Sequence, residues 1–174
     1  RDLTPDGARM RAPEGAPAAP DPRPRVAVVG SLHFDIMVGT PYLPRLGETV
    51  IGDAWWWKPG GKGGNQAMAA ARHGAATSMI GALGEDGFGD RLRERLAAAG
   101  VSLAAIRTVE AGSGMSVAIH EAAGDYAAIV VSGANRRIDP DQVATSAATI
   151  REAAILVLQD EVGEPANAEA ARIA

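Results

Sequence analysis

Cysteine is absent from all 174 residues, which excludes a disulfide-built secreted scaffold. A long apolar run and a basic-then-apolar leader are both missing, so nothing addresses the chain to a membrane or out of the cell, and a cytoplasmic protein is the expectation. The basic residues are scattered and the formal net charge is -4, giving no electrostatic reason to expect nucleic acid or an anionic membrane as partner. Large apolar residues are nearly missing from the opening stretch, RDLTPDGARMRAPEGAPAAPDPRPR. Such a stretch buries too little surface to offset the entropy of ordering it, so residues 1–24 are expected to be a disordered Pro/Ala-rich tail. With 47% hydrophobic residues overall, the remainder suits one soluble domain.

From Arg25 the punctuation becomes regular. RVAVVG (25–30) is an apolar, β-branched run closed by glycine, as a buried parallel strand would be. Residues 31–61 alternate apolar with polar and break at Pro and Gly, which predicts strands and loops. A helix is predicted from about Asn65 to His73, stopped by Gly74, and a strand over 76–84. Residues 86–100 predict an amphipathic helix with Phe88, Leu92 and Leu96 on one face. Residues 114–135 alternate in two runs around Ala-Gly-Asp, the pattern of an antiparallel hairpin. Asp139 followed by Pro140 starts a helix that should reach about Glu152, AAILVLQ (153–159) reads as a strand covered on both faces, and EPANAEAARIA opens another helix. Strands and helices in alternation predict an α/β sheet.

The stretch KPGGKGGNQAMAAARHG (58–74) sets four glycines around Lys62 and opens straight into a helix. A phosphate-cradling loop of the Walker type needs Gly-Lys-Ser/Thr so that a hydroxyl reaches magnesium, and Gly63 after Lys62 breaks that pattern. A dinucleotide fingerprint needs Gly-x-Gly-x-x-Gly, and Gln66 breaks that one. The plain alternative is that the glycines only let the chain turn.

Gly60, Gly61, Gly63, Asn65, Ala67, Gly74 and Gly84 together resemble the first signature of the ribokinase-like carbohydrate kinases, the PfkB family. The likeness extends through VAVVGSLHFDIMV, PRLGETVIG, GEDGFGDRL and SGAN to LQDE, roughly residues 26–174, as the N-terminal half of such a kinase. It implies a doubly wound α/β sheet with a small β-sheet lid over a sugar, the lid strands lying near 35–58 and 115–131 and often mediating a homodimer. It also implies ATP and Mg2+ as cofactors, with a monovalent cation as a further one.

Site residues follow from the same resemblance. Asp35 matches the carboxylate that accepts hydrogen bonds from sugar hydroxyls, an ionised acceptor being the stronger one. Gly61 matches a position where a missing Cβ lets the ligand approach the main chain, and Lys62 and Asn65 match sugar-contacting donors. Glu161, beside Asp160 in LQDE, falls on the second carboxylate position, with a solvated loop acid as the alternative. His33 departs from the pattern: ribokinases commonly carry Asn there, and an imidazole cannot reproduce an amide's bonding, so ribose itself comes into question and a purely structural histidine stays open. Trp55, Trp56 and Trp57 must alternate between two strand faces, open to sugar stacking, a subunit contact or lid packing. The family's nucleotide site and catalytic base, the Asp of a Gly-x-Gly-Asp motif, are expected beyond Ala174, so no residue here is expected to be catalytic. The resemblance thus implies an ATP-dependent sugar kinase represented by its sugar-binding half; a nucleoside kinase of the same fold and a non-catalytic sugar-binding or dimerising fragment are the other readings.

Overall fold

The computed structural model describes residues 21–174, so residues 1–20 of the expected tail lie outside the described residues. In chain order the elements are β1 (Arg25–Val29), β2 (His33–Thr40), β3 (Ala54–Gly60), α1 (Lys62–Arg72), β4 (Ala76–Gly84), α2 (Gly87–Ala98), β5 (Ser102–Val109), β6 (Met115–Glu121), β7 (Tyr126–Val131), a 3-10 turn (Gly133–Arg137), α3 (Pro140–Thr145), α4 (Ala147–Arg151), β8 (Ile155–Val157) and α5 (Glu164–Ile173).

The apolar run of β1 sits inside a parallel sheet ordered β5-β4-β1-β8. Alternation along β1 sends Val26 and Val28 to one face, against Ala67 and Met68 of α1 and Leu92 and Leu96 of α2. Val29 goes to the other face, against Val143 of α3, Ile150 of α4 and Ala166, Ala170 and Ile173 of α5. Helices therefore cover both faces, the doubly wound arrangement. The strand that follows β1 in the sheet lies on one side of it and β8 on the other. The strand order thus reverses between β1 and β8, and a crevice opens there at their C-terminal ends.

A second sheet, ordered β3-β2-β6-β7, is inserted into this frame, with β2 parallel to β6 and the outer pairs antiparallel. Phe34 stacks between Trp57 and Phe88, at 4.5 and 4.2 Å between ring centroids, and so fastens the sheet to α2. Of the tryptophan run only Trp57 is partly buried, under the guanidinium groups of Arg91 and Arg95; Trp55 and Trp56 are 71% and 47% exposed.

Several local expectations are corrected. The stretch Thr49–Asp53 is loop, not strand: Pro41, Pro44, Gly47 and Gly52 break the pairing, and Glu48 instead bonds the Arg45 N–H and the Tyr42 hydroxyl. The second hairpin strand ends at Val131, where the chain tightens into the 3-10 turn. The helix expected over 139–152 breaks at Ser146, because the hydroxyls of Thr145 and Ser146 both bond back to the Gln142 carbonyl. The strand expected over 153–159 shortens to Ile155–Val157 at the sheet's edge, with Ile155 56% exposed instead of covered. Residues 102–109, which carried no expectation, form the opposite edge strand, β5. Among the described residues no helix is long and apolar enough to cross a membrane.

One carboxylate ties three of these segments together. Asp86 caps α2 by accepting the Gly89 N–H at 2.8 Å, and it accepts the Ser113 N–H and hydroxyl at 2.7 and 2.8 Å. The Ser113 hydroxyl in turn accepts the Gly84 N–H at 3.0 Å. Burial pushes the Asp86 carboxyl up, but these donors outweigh it and hold it below its ordinary value. Asp86→Ala should therefore cost about 1.5–3 kcal/mol, more than a cap alone, read as a lower urea midpoint at unchanged slope.

Candidate functional site

The switch-point crevice is built by three backbone turns. Gly30 and Ser31 follow β1, Gln159 to Glu161 follow β8, and Gly61 leads into α1. Gln159 links the first two, donating to the Val29 carbonyl at 2.8 Å. Glu161 links all three: its Oε2 accepts the Ser31 hydroxyl at 2.5 Å and the Lys62 N–H at 2.8 Å, while its Oε1 takes the Lys62 ammonium. A carboxylate thereby caps the N-terminus of α1 from 99 residues away, favoured by the helix dipole. This cap explains why α1 begins at Lys62 and not near Asn65, as its sequence suggested.

Burial raises the Glu161 carboxyl, but the Lys62 N–H, the Lys62 ammonium and the Ser31 hydroxyl outweigh it and hold it down to about 2, from 4.5. Because the folded value is depressed, the stabilisation is complete above about 4.5 and lost as pH falls toward 2. Glu161→Gln is expected to cost about 1.5–3 kcal/mol at pH 7, the scale for hydrogen bonds to a charged group. The gap between the two unfolding curves should close across that acid window; a gap independent of pH would mean that the charge on Glu161 contributes nothing.

His33, Asp35, Gly61, Lys62, Asn65 and Glu161 all line one cleft of about 250 Å3, which Ser116 and Val130 complete. Glu161 enters it, whereas Asp160 is exposed to solvent. Both Glu161 oxygens are engaged by the protein, so it stands as an organiser of the turns more than as an open acceptor. Asp35 is different. Its Oδ1 accepts the Ser116 hydroxyl at 2.6 Å, from the residue beside it in the β2–β6 register, and among the described residues its Oδ2 accepts no hydrogen bond. Gly60 makes room for this carboxylate: a Cβ there would lie 2.0 Å from Oδ2.

Gly61 answers to a main-chain requirement. It lines the cleft, but a Cβ on it would meet the Ser31 carbonyl oxygen at 2.6 Å and the His33 nitrogen at 2.9 Å. The space is needed by the protein's own main chain, and the φ of +80° is one that side chains rarely adopt. Asn65 projects from the first turn of α1 with an amide that bonds nothing else among the described residues. His33 is 4% exposed, and burial lowers its pKa despite the nearby charges of Glu161 and Asp35, which favours the neutral ring. Ser31, Ser116 and Asn135 escaped sequence reasoning. Serine is common everywhere, and the only signal for Asn135 was its place in SGAN.

A larger cavity of about 480 Å3 lies at the opposite, N-terminal ends of the strands, between Arg25, Ala76 and Ser102. Open α/β sheets bind ligands at the other end, where the convergent polar groups are found.

This fold and cleft define a ribokinase-like α/β protein. Residues 23–174 match the pfkB family carbohydrate kinases, and the chain belongs to that family. It is 36% identical over 139 residues to the ribokinase of Bacillus subtilis (strain 168), covering 80% of this chain and 47% of that protein. It is 32% identical over 161 residues to the ribokinase of Mus musculus, covering 92% and 50%. The structure of Arabidopsis thaliana ribokinase complexed with ribose and ATP superposes with a TM-score of 0.77 at 33% identity, over 87% of this chain and 50% of that one. The chain thus spans about half the length of the curated relatives it matches.

Proposed function

We propose that this chain supplies the sugar-binding part of an ATP-dependent carbohydrate kinase of the ribokinase type, acting in the cytoplasm. The observation that carries the reading is the convergence, at the switch point, of an open Asp35 oxygen, the Asn65 amide and the neutral His33 ring. These are groups that bond hydroxyls, and the second sheet beside them serves as the lid. ATP, when bound, supplies the phosphoryl group. The residues of this chain hold the acceptor sugar with one hydroxyl oriented for attack, the positioning on which such transfers mostly depend. The N-terminus of α1 is taken by Glu161 and is not open to a phosphate, and among the described residues no three metal-ligating side chains cluster. These residues fit a sugar and not a nucleotide, so the proposal assigns none of them to ATP, Mg2+ or a monovalent cation.

The cleft, at about 250 Å3, falls below the ~300–1,000 Å3 usual for drug-sized ligands, which favours a monosaccharide over a nucleoside. A thermal-shift panel of pentoses, hexoses and nucleosides tests this. A pentose at about 100 times its Kd should stabilise the chain by about 2.7 kcal/mol, a shift of roughly 5–11 °C. A flat panel sinks the reading, and a response to nucleosides alone replaces it with the nucleoside-kinase one.

The lid is also proposed to pair two copies of the chain. Its edge strand β7 leaves Tyr126, Ile129 and Val131 67%, 73% and 51% exposed, and the opposite edge strand β3 leaves Trp55 and Trp56 open. An apolar sheet edge of this kind invites another chain. Sedimentation equilibrium should find a dimer, and Ile129→Asp a monomer; a monomeric unaltered chain at tens of micromolar removes the proposal.

A further inference from the structure

We propose that Asn135 fixes His33 as the neutral Nδ1–H tautomer, making it a one-sided hydrogen-bond donor to the ligand in the cleft. The inference deepens the sugar-binding reading, on which its last step rests. It starts from an amide whose orientation leaves no choice. Asn135 is fully buried in the 3-10 turn, and its Oδ1 accepts the Leu32 N–H at 2.8 Å. Its Nδ2 donates to the carbonyls of Leu32 and Ser132 at 2.8 and 2.9 Å. Turning the amide over would set NH2 against N–H and oxygen against two carbonyls, losing all three bonds in a buried place.

The NH2 group so fixed lies 3.3 Å from His33 Nε2. Both amide protons already point at carbonyls and the amide nitrogen accepts no hydrogen bond, so an Nε2–H turned toward it would be stranded in a buried place. A bare Nε2 facing the positive edge of the NH2 group avoids this, and the single proton of the neutral ring then sits on Nδ1. Protonating Nε2 would oppose the amide, and the burial of the ring already disfavours the charged form. Nδ1 is on the other side, 3.9 Å from Glu161 Oε2, too far for a direct hydrogen bond. Its N–H is thus unspent and available to the cleft.

The chemical consequence is selective. An asparagine at this position could donate or accept, whereas this histidine only donates. The ligand atom opposite must be an acceptor, and with the carboxylates of Asp35 and Glu161 lining the same cleft a neutral hydroxyl or ether oxygen suits it better than an anion. Leu32 and His33 also lie where the chain passes from the parallel sheet into the second sheet, and Asn135 lies where it returns. One side chain therefore sets both the joint between the sheets and the protonation pattern of the contact.

The test is 15N–1H spectroscopy of the histidine-labelled chain, with the His33 signals assigned by their loss in His33→Asn. At pH 7 the unaltered chain should show Nδ1 protonated and Nε2 bare. In Asn135→Asp the carboxylate should draw the proton to Nε2, and in Asn135→Ala the two tautomers should mix. An Nε2–H species or a mixture in the unaltered chain overturns the proposal whatever the variants do, as does an unchanged Nδ1–H signal in a folded Asn135→Asp chain. Adding ribose, or whichever pentose raises the melting temperature most, should then move Nδ1 more than Nε2. A sugar that binds without moving Nδ1 refutes the donor role. The tautomer is read without ligand, so a flat thermal-shift panel with Nδ1 protonated would refute the sugar reading of the cleft and, with it, the donor role to a sugar.

Discussion

Asp35→Ala is expected to weaken sugar binding about 10–150-fold, the equivalent of roughly 1.5–3 kcal/mol for hydrogen bonds to a charged acceptor. The loss should fall on affinity and not on stability. Asp35 makes one protein hydrogen bond, to Ser116, and its second oxygen meets the cleft. Removing the side chain strands the Ser116 hydroxyl, but Ser116 lines the open cleft and its hydroxyl can turn to solvent there, so the melting temperature should move little. Asp35→Asn separates charge from shape: it keeps the volume against Gly60 but offers a weaker acceptor, and should fall between the two. Calorimetric titration with the best sugar of the panel decides. Unaltered affinity in Asp35→Ala would remove this carboxylate from the binding site.

Gly61→Ala should cost about 3–5 kcal/mol of stability, combining a backbone conformation that disfavours side chains with overpacking. At this chain length that is a fall of roughly 6–20 °C in melting temperature. The clash cannot be relieved by a side-chain rotation, because the atoms at 2.6 and 2.9 Å are the main chain of Ser31 and His33. Those residues carry the Glu161 contact and the imidazole, so binding should fall with stability. Gly87→Ala is the matched control: no atom lies within 4 Å of the added methyl and it sits at the start of α2, so it should be within about 0.5 kcal/mol of neutral. A Gly61→Ala chain as stable as that control would mean that the turn relaxes and that the spacing of the glycines is not set by main-chain contact.

Much of the fold was legible because its signals are local. The apolar run before Gly30 needs no partner to be recognised as a buried strand. Asp139 announces a helix start with its own side chain, and Gly74 closes α1 at a φ of +91°. What could not be read was decided by distant partners or by weak patterns. Residues 102–109 are an edge strand rich in small residues, so their alternation carries little hydrophobic contrast. The break at Ser146 depends on two hydroxyls choosing one carbonyl over solvent.

The candidate site divides along the same line. By itself the sequence made the glycine turn running into Lys62 and Asn65 legible, because that motif is short and its spacing rigid, and its family resemblance then grouped with it a carboxylate at Asp35 and an acid at Glu161. Only the tertiary structure decided what each one does. Asp35 keeps an oxygen open because Gly60, on the neighbouring strand, yields its space, and Glu161 is engaged because Ser31 and Lys62 converge on it from two other turns. The proposed one-sided donation by the histidine at position 33 rests on an asparagine 102 residues later that faces its other nitrogen. Charge, protonation and open hydrogen-bonding capacity are properties of a three-dimensional neighbourhood, and in this chain the neighbours that set them are separated by 25 to 130 residues of sequence.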